Sequence, residues 1–161
     1  MSGAPTVMFV CWGNICRSPM AEVVARQWGR QHDAGDVVFA SAGVSSEEQG
    51  NPIDPRAVEV LQRAGYRPGD HRAHRITAAE VRDSALVIGM ERIHLDRIRQ
   101  LVPEAEHLFL LSNFDPDAVP GSDVPDPWYG PPEGFEETLA AIEAAMPGLM
   151  RRVARLGGHA G

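Results

Sequence analysis

Cys11, Arg17 and Ser18 have the spacing of a loop that could hydrolyse a phosphate ester. They follow an apolar, β-branched run and precede a helix start, so the backbone N–H groups between them can converge on an anion. Gly13 and Asn14 tolerate the unusual backbone angles of such a loop. Arg17 can grip two phosphate oxygens with its planar fork, and the same donors favour the thiolate of Cys11. The residues therefore predict attack of the Cys11 sulfur on phosphorus, with Ser18 donating a hydrogen bond to that sulfur.

This chemistry also needs an acid, because an unprotonated phenolate leaves phosphorus less readily than a phenol. Residues 113–132 are rich in Asp, Pro and Gly, and long loops in compact domains are often functional. The residue types do not choose among the four aspartates of this stretch, since a loop aspartate is also a common turn cap. The candidates are Asp115, Asp117, Asp123 and Asp126.

Strand and helix patterns alternate along the chain, which predicts an α/β fold. We expect residues 1–161 to form a single doubly wound domain, with a central, mostly parallel sheet flanked by helices and the phosphate-binding loop after the first strand. Ligands of such sheets bind beyond the carboxyl ends of the strands. Ser18 is predicted to cap the first helix, with Pro19 at its first position. The predicted strands are residues 6–11, 37–40, 85–89 and 107–111, and the predicted helices are residues 18–31, 54–65, 93–101 and 134–156, with a short one from Thr77.

Composition excludes several classes of protein. The formal charge of −7 argues against a nucleic acid partner, because phosphate backbones need clustered basic residues. No apolar run is long enough to span a bilayer, and no signal peptide is recognisable, so we expect a cytoplasmic protein without a membrane partner. Two cysteines are too few for a secreted disulfide scaffold. A zinc site on Cys11 and Cys16 lacks a second ligand pair and would have an arginine in its loop, so neither metal nor organic cofactor is expected.

Several motifs together give the chain a resemblance to a known family. Residues 11–19 resemble the signature loop of the low-molecular-weight protein tyrosine phosphatases. Further motifs follow in the order and spacing of that family over nearly the whole chain: Ser41-Ala42-Gly43, Asp54-Pro55-Arg56-Ala57, His71-x-Ala73, Met90, Phe114-Asp115-Pro116 and Asp126-Pro127-Trp128-Tyr129-Gly130.

The resemblance implies a role for each matching position. Cys11 would be the nucleophile, Arg17 the phosphate clamp and Asp126 the general acid and base, acting on a phosphotyrosine protein or another aryl phosphate. Asn14, Ser18, Ser41 and His71 would support the loop, whose other members are Trp12, Gly13, Ile15 and Cys16. The rim of the site would be formed by Trp12, Glu47, Trp128 and Tyr129. Glu91 and His74 depart from the family pattern, and we interpret both as structural.

Other functions remain open from the sequence. A phosphatase for phosphoarginine or small metabolites would share the loop chemistry, and the shape of the pocket would decide between them. An arsenate reductase on the same fold would need a cysteine pair elsewhere in the chain, which is absent. A phosphate-binding module without catalysis would not need both Cys11 and Asp126. The resemblance also allows release from the cell, although we expect a cytoplasmic location.

Overall fold

The computed structural model describes residues 3–32 and 34–158, in which strands and helices alternate as predicted. Strands β1–β4 are Thr6–Cys11, Val38–Gly43, Leu86–Gly89 and Leu108–Leu110. Helices α1–α5 are Arg17–Gln31, Pro55–Arg63, Ala78–Asp83, Arg92–Leu101 and Gly134–Gly158. Two 3₁₀ turns, Leu111–Phe114 and Pro127–Tyr129, lie in the long segment between β4 and α5.

The four strands form a sheet in the order β2-β1-β3-β4, and every pairing is parallel. The chain therefore leaves β1 toward β2 on one side and later returns to β3 on the other side. Ligands bind at such a switch point in open parallel sheets. Cys11 pairs with Gly43 of β2, and Val10 pairs with Gly89 of β3, so the carboxyl ends of three strands meet at one edge. The expected α/β architecture is confirmed.

Alternation along β1 divides the core between the two faces of the sheet. Val7, Phe9 and Cys11 pack in a large apolar cluster with residues of α1, α2 and α5. Met8 and Val10 point to the other face, into a smaller cluster with residues of α3 and α4. The helices on both faces explain why β1 and β3 are almost entirely buried. Cys11 is thus fixed by the rigid central strand.

The start of α1 differs from the prediction. The expectation that Ser18 caps this helix is wrong, because α1 begins at Arg17 and Cys16 stands at the cap position without a side-chain hydrogen bond. The hydroxyl of Ser18 faces the Cys11 sulfur instead of a backbone amide of the helix. Strand β2 also continues to Gly43, because residues 41–43 pair with the last residues of β1.

Two other predicted helix starts are confirmed at the level of single hydrogen bonds. Asp54 caps α2 by accepting from the amide of Arg56, and Pro55 is its first residue. Thr77 and Glu80 form a reciprocal capping box at the start of α3. Within the described residues, no helix is both long and apolar enough to cross a membrane.

Candidate active site

The loop between β1 and α1 turns its carbonyl groups outward. The carbonyl of Trp12 accepts from the amide of Ser45 at 3.1 Å, and that of Ile15 accepts from the amide of Asp54 at 2.8 Å. In contrast, none of the amides of residues 13–16 donates to an acceptor in the described part of the chain. Free amides beside the N-terminus of α1 form a site that favours an anion.

Asn14 holds the loop in this shape. It is fully buried and has a φ of 63°, a left-handed conformation that asparagine tolerates better than most residues. Its Nδ2 donates to the hydroxyls of Ser18 at 2.9 Å and Ser41 at 3.0 Å. Its Oδ1 accepts from the amide of His74 at 3.1 Å, and its carbonyl oxygen lies 2.6 Å from Nε2 of His71. The structure thus brings together the four residues expected to support the loop.

His71 and Ser41 are supported in turn. Nε2 of His71 must carry the proton, because the carbonyl of Asn14 can only accept. Burial lowers the pKa of His71, which favours the neutral ring. The hydroxyl of Ser41 donates to Glu22 at 2.6 Å, and Glu22 also pairs with Arg26. Sequence reasoning missed Glu22, because only the fold brings this position of α1 against β2.

Gly43 is needed where the loop crosses β2. A Cβ atom at this position would lie 2.8 Å from the carbonyl oxygen of Trp12 and 3.2 Å from Cβ of Asn14. Real Cβ contacts essentially never fall below 3.0 Å, and the closest of these two atoms belongs to the backbone. The glycine of the Ser41-Ala42-Gly43 motif therefore allows the loop to approach the sheet.

The Cys11 sulfur lies at the start of the loop, and its residue is 3% exposed. The hydroxyl of Ser18 lies 3.0 Å from this sulfur, and the amide of Ser18 donates to it at 3.4 Å. The same hydroxyl accepts from Asn14 and also lies 3.4 Å from the carbonyl oxygen of Ala42. A thiolate at Cys11 can only accept, so in that state the hydroxyl of Ser18 is the donor in the contact with sulfur. The second thiol, Cys16, differs: burial and the nearby charge of Asp54 raise its pKa, which keeps it protonated.

Arg17 is 2% exposed, and hydrogen bonds at one of its guanidinium nitrogens fix the orientation of the side chain. Its Nη1 donates to Glu91 at 2.5 Å and to the carbonyl of Val124 at 2.7 Å. Its Nη2 lies 3.5 Å from Oδ2 of Asp126. Because Nη1 is occupied, the edge formed by Nε and Nη2 is the one that can receive two oxygens of a bound phosphate.

Glu91 was interpreted from the sequence as structural, yet it contacts this arginine directly. It follows β3, so its position is set by the same sheet edge that carries Cys11. Behind it, Nδ1 of His94 accepts from the amide of Glu91 at 3.0 Å, which leaves the proton on Nε2. That Nε2 lies 3.8 Å from Oε2 of Glu91 and has no hydrogen-bond partner among the described residues. The topology could have identified Glu91, and His94 is tied to it by the capping contact at the start of α4.

Burial, and secondarily the charge of Arg17, lowers the pKa of His94 from 6.5 to about 3. The contact with Glu91 is therefore made by a neutral imidazole and is not an ion pair. The folded protein takes up this proton only near pH 3, whereas the unfolded chain takes it up near pH 6.5. The unfolded state binds more protons in this window, so the contribution of His94 lowers the stability as the pH falls below about 6.5.

We expect His94→Asn to flatten this pH dependence, because asparagine keeps a hydrogen-bond acceptor but does not titrate. Between pH 6 and pH 4, the native free energy of unfolding should fall faster than that of the variant by about 1.4 kcal/mol per pH unit at most. Urea unfolding at several pH values measures both slopes, and groups common to both proteins cancel in the comparison. Parallel curves would show that His94 is not held neutral by burial.

A cavity of about 120 Å³ opens above the loop and brings most of the expected site residues together. Of the four candidate aspartates, Asp126 alone lines it. Asp123 instead accepts from the amide of Arg92, and Asp115 accepts from the amide of Asp117. The cavity is lined by Cys11, Trp12, Gly13, Ile15, Cys16, Arg17, Glu47, Glu48, Asp126, Trp128 and Tyr129.

Each expected rim residue borders this cavity, and Glu48 joins them unexpectedly. The indole N–H of Trp12 donates to Glu47 at 3.2 Å. Trp128 lies under the guanidinium of Arg56, 5.0 Å from its ring centroid, while Tyr129 is 87% exposed. The mouth of the cavity therefore presents aromatic surface that can pack against a flat ring.

Asp126, the candidate general acid, is held in place through one of its two carboxylate oxygens. Oδ1 of Asp126 accepts from the amide of Trp128 at 3.0 Å, which fixes the start of the second 3₁₀ turn. Oδ2 is the atom turned toward Arg17 and remains available for proton transfer. Among the residues that the structure covers, no three His, Cys, Asp or Glu side chains are grouped so that they could hold a metal ion.

Comparisons with known proteins agree with this geometry. Residues 6–157 match the model of a family described as low molecular weight phosphotyrosine protein phosphatase. Low molecular weight protein-tyrosine phosphatase A of Mycobacterium tuberculosis is 44% identical over 151 residues, covering 92% of this chain and 91% of the relative. The low molecular weight protein-tyrosine-phosphatase of Streptomyces coelicolor is 42% identical over 152 residues, covering 91% and 92%.

A solved structure shares the whole fold. The crystal structure of a protein tyrosine phosphatase from Entamoeba histolytica superposes with a TM-score of 0.87 at 27% sequence identity. The match covers 92% of this chain and 96% of the other.

Proposed function

The chain belongs to the low molecular weight phosphotyrosine protein phosphatase family, and on that premise we propose that it hydrolyses phosphotyrosine esters through a phosphate bound covalently to Cys11. One observation supports the proposal most strongly. The buried residue Cys11, the loop residues Gly13, Ile15 and Cys16 with their free amides, and Arg17 border the same cavity as Asp126. This is the set of groups that a thiolate attack on a phosphate ester requires.

The first step transfers the phosphoryl group to the enzyme. The Cys11 sulfur forms a bond to phosphorus while the bond between phosphorus and the tyrosine oxygen breaks. Oδ2 of Asp126 gives its proton to that oxygen, so a neutral phenol leaves. The loop amides and the Nε–Nη2 edge of Arg17 bind the three remaining phosphate oxygens, on which negative charge is spread in the transition state.

The second step releases the phosphate. A water molecule attacks phosphorus and gives a proton to Asp126 while the bond between sulfur and phosphorus breaks. The hydrogen bond from Ser18 stabilises the departing Cys11 thiolate. Inorganic phosphate leaves, and both Cys11 and Asp126 return to their starting protonation states.

The remaining polar residues act by positioning. Asn14, Ser41 and His71 hold the loop so that its amides face the anion without rearrangement, which is the source of electrostatic catalysis. Glu91 fixes one side of Arg17, and this leaves the opposite edge for the phosphate. The buried, protonated Cys16 is not a competing nucleophile, because the thiolate is the reactive form.

The substrate we propose is a phosphotyrosine protein in the cytoplasm, with neither nucleic acid nor membrane as a partner. The net charge of −7 disfavours nucleic acid, and both thiols are free, as in a reducing compartment. The aromatic mouth and the names of the relatives favour an aryl ester over phosphoarginine or a small metabolite.

Hydrolysis of matched phosphopeptides in excess chelator tests this substrate class. A phosphotyrosine peptide is expected to exceed phosphoarginine and phosphoserine peptides of the same sequence in kcat/KM by at least about tenfold, since only phosphotyrosine presents an aromatic ring to the aromatic mouth. Relative to phosphoserine, the phenol is also the more acidic leaving group. Faster hydrolysis of the phosphoarginine peptide would overturn the assignment to phosphotyrosine. It would leave the role of Cys11 standing.

A further inference from the structure

A second depression, of about 180 Å³, is lined in part by Arg97, which contacts the ring of Trp12, a residue that lines the catalytic cavity. We call it the arginine cleft; it is lined by Val44, Arg75, Ile76, Arg97, Gln100 and Leu101. Two contacts connect it to the catalytic loop. The guanidinium carbon of Arg97 lies 4.8 Å from the centroid of the Trp12 ring, and the amide of Val44 donates to the carbonyl of Cys11 at 3.0 Å.

The cleft carries positive charge that the described residues do not neutralise. Neither the guanidinium of Arg75 nor that of Arg97 forms an ion pair within residues 3–32 and 34–158. Both side chains are exposed in a chain whose net charge is −7. Two unneutralised cations beside the active site, in an otherwise acidic protein, are available to a ligand.

Acidic side chains in the neighbouring segments already accept hydrogen bonds from groups outside the cleft's lining. Asp96, which precedes Arg97, accepts from Arg99. Glu80 accepts from His74 and from the backbone of Thr77. Glu47 accepts from the indole N–H of Trp12, whereas Arg97 lies over the face of the same ring, and the two form no ion pair in the described part of the chain.

We infer that the arginine cleft binds the carboxylate of an Asp or Glu side chain that flanks the phosphotyrosine of the substrate protein. The inference rests on the proposed function. Arg75 and Arg97 bind the carboxylate, and the apolar surface of Val44, Ile76 and Leu101 contacts the methylene groups of the same side chain. Because the phosphate is held in the loop, the second contact is made within one bound peptide and selects acidic sequences.

Two phosphotyrosine peptides test the inference, one with Glu on both sides of the phosphotyrosine and one with Gln at the same positions. The native protein is expected to favour the acidic peptide in kcat/KM by about two- to fivefold, the range of an exposed ion pair. Arg75→Gln should bring the ratio near one, while Arg75→Lys should keep most of the preference. High salt should also reduce the native ratio.

Arg99→Gln is the matched control, because it removes the same charge from an arginine of α4 that pairs with Asp96 and does not line the cleft. It should retain the native ratio. The inference about the cleft would be overturned if native protein and Arg75→Gln gave the same ratio of kcat/KM, or if Arg99→Gln lowered that ratio as much as Arg75→Gln does. In either case, hydrolysis of the Gln peptide would still support the proposed phosphatase function. Failure to hydrolyse either peptide would instead overturn the proposed function and the cleft with it.

Discussion

Cys11→Ser is expected to lower kcat on p-nitrophenyl phosphate by more than about 10⁴-fold, the scale on which removal of a catalytic nucleophile acts. A serine hydroxyl is not ionised at neutral pH and is a weak nucleophile, whereas cysteine sulfur is intrinsically very nucleophilic. The side chains are similar in size, so the buried position should tolerate the exchange. Steady-state kinetics under reducing conditions measure the loss.

Binding of inorganic phosphate provides the control for Cys11→Ser. The loop amides and Arg17 are unchanged in this variant, so calorimetry should find phosphate affinity of the native order. Retained binding with lost turnover would assign the sulfur to the chemical step. Turnover within tenfold of native would show that Cys11 is not the nucleophile.

Asp126→Asn is expected to lower kcat by about 10²- to 10⁴-fold, the usual contribution of general acid–base catalysis. Asparagine keeps the oxygen that accepts from the amide of Trp128, so the 3₁₀ turn should persist while proton transfer is lost. The loss should be larger on phosphotyrosine than on p-nitrophenyl phosphate, because nitrophenol is the more acidic leaving group and needs less help. Kinetics on both substrates measure the difference.

Asp123→Asn is the matched control for that variant. Asp123 lies three residues earlier in the same loop, but its carboxylate accepts from the amide of Arg92 outside the cavity. Its kcat should stay close to the native value, because this carboxylate does not line the cavity. Equal losses in the two variants would mean that loop conformation, and not proton transfer, explains the effect of Asp126→Asn.

Local chemistry made much of the fold and of the catalytic loop predictable. Asp54-Pro55 and the Thr77 capping box encode their helix starts within four residues, and both are confirmed. The loop after β1 was also predictable, because Cys11 and Arg17 derive their positions from one strand and one helix that are adjacent in sequence. The resemblance, and not chemistry, singled out Asp126, which the structure then places at the cavity.

Long-range contacts account for what sequence reasoning missed. Ser18 was predicted as a helix cap, a role that serine often has, but the helix begins earlier and its hydroxyl faces the Cys11 sulfur. Glu91 reaches Arg17 only because β3 lies beside β1 in the sheet. The arginine cleft brings together Arg75 and Arg97, which are 22 residues apart and come from different segments. No spacing pattern in the sequence predicts contacts between residues that are so far apart along the chain.

The most direct test of the central claim is to trap the enzyme during turnover and locate the phosphate. Native protein mixed with p-nitrophenyl phosphate, quenched rapidly and digested, is expected to carry one phosphate on the peptide that contains Cys11 and Cys16. Fragmentation of that peptide by mass spectrometry should assign the phosphate to the Cys11 sulfur. Phosphate on Cys16, or product formation without any phosphorylated enzyme at any quench time, would contradict the mechanism.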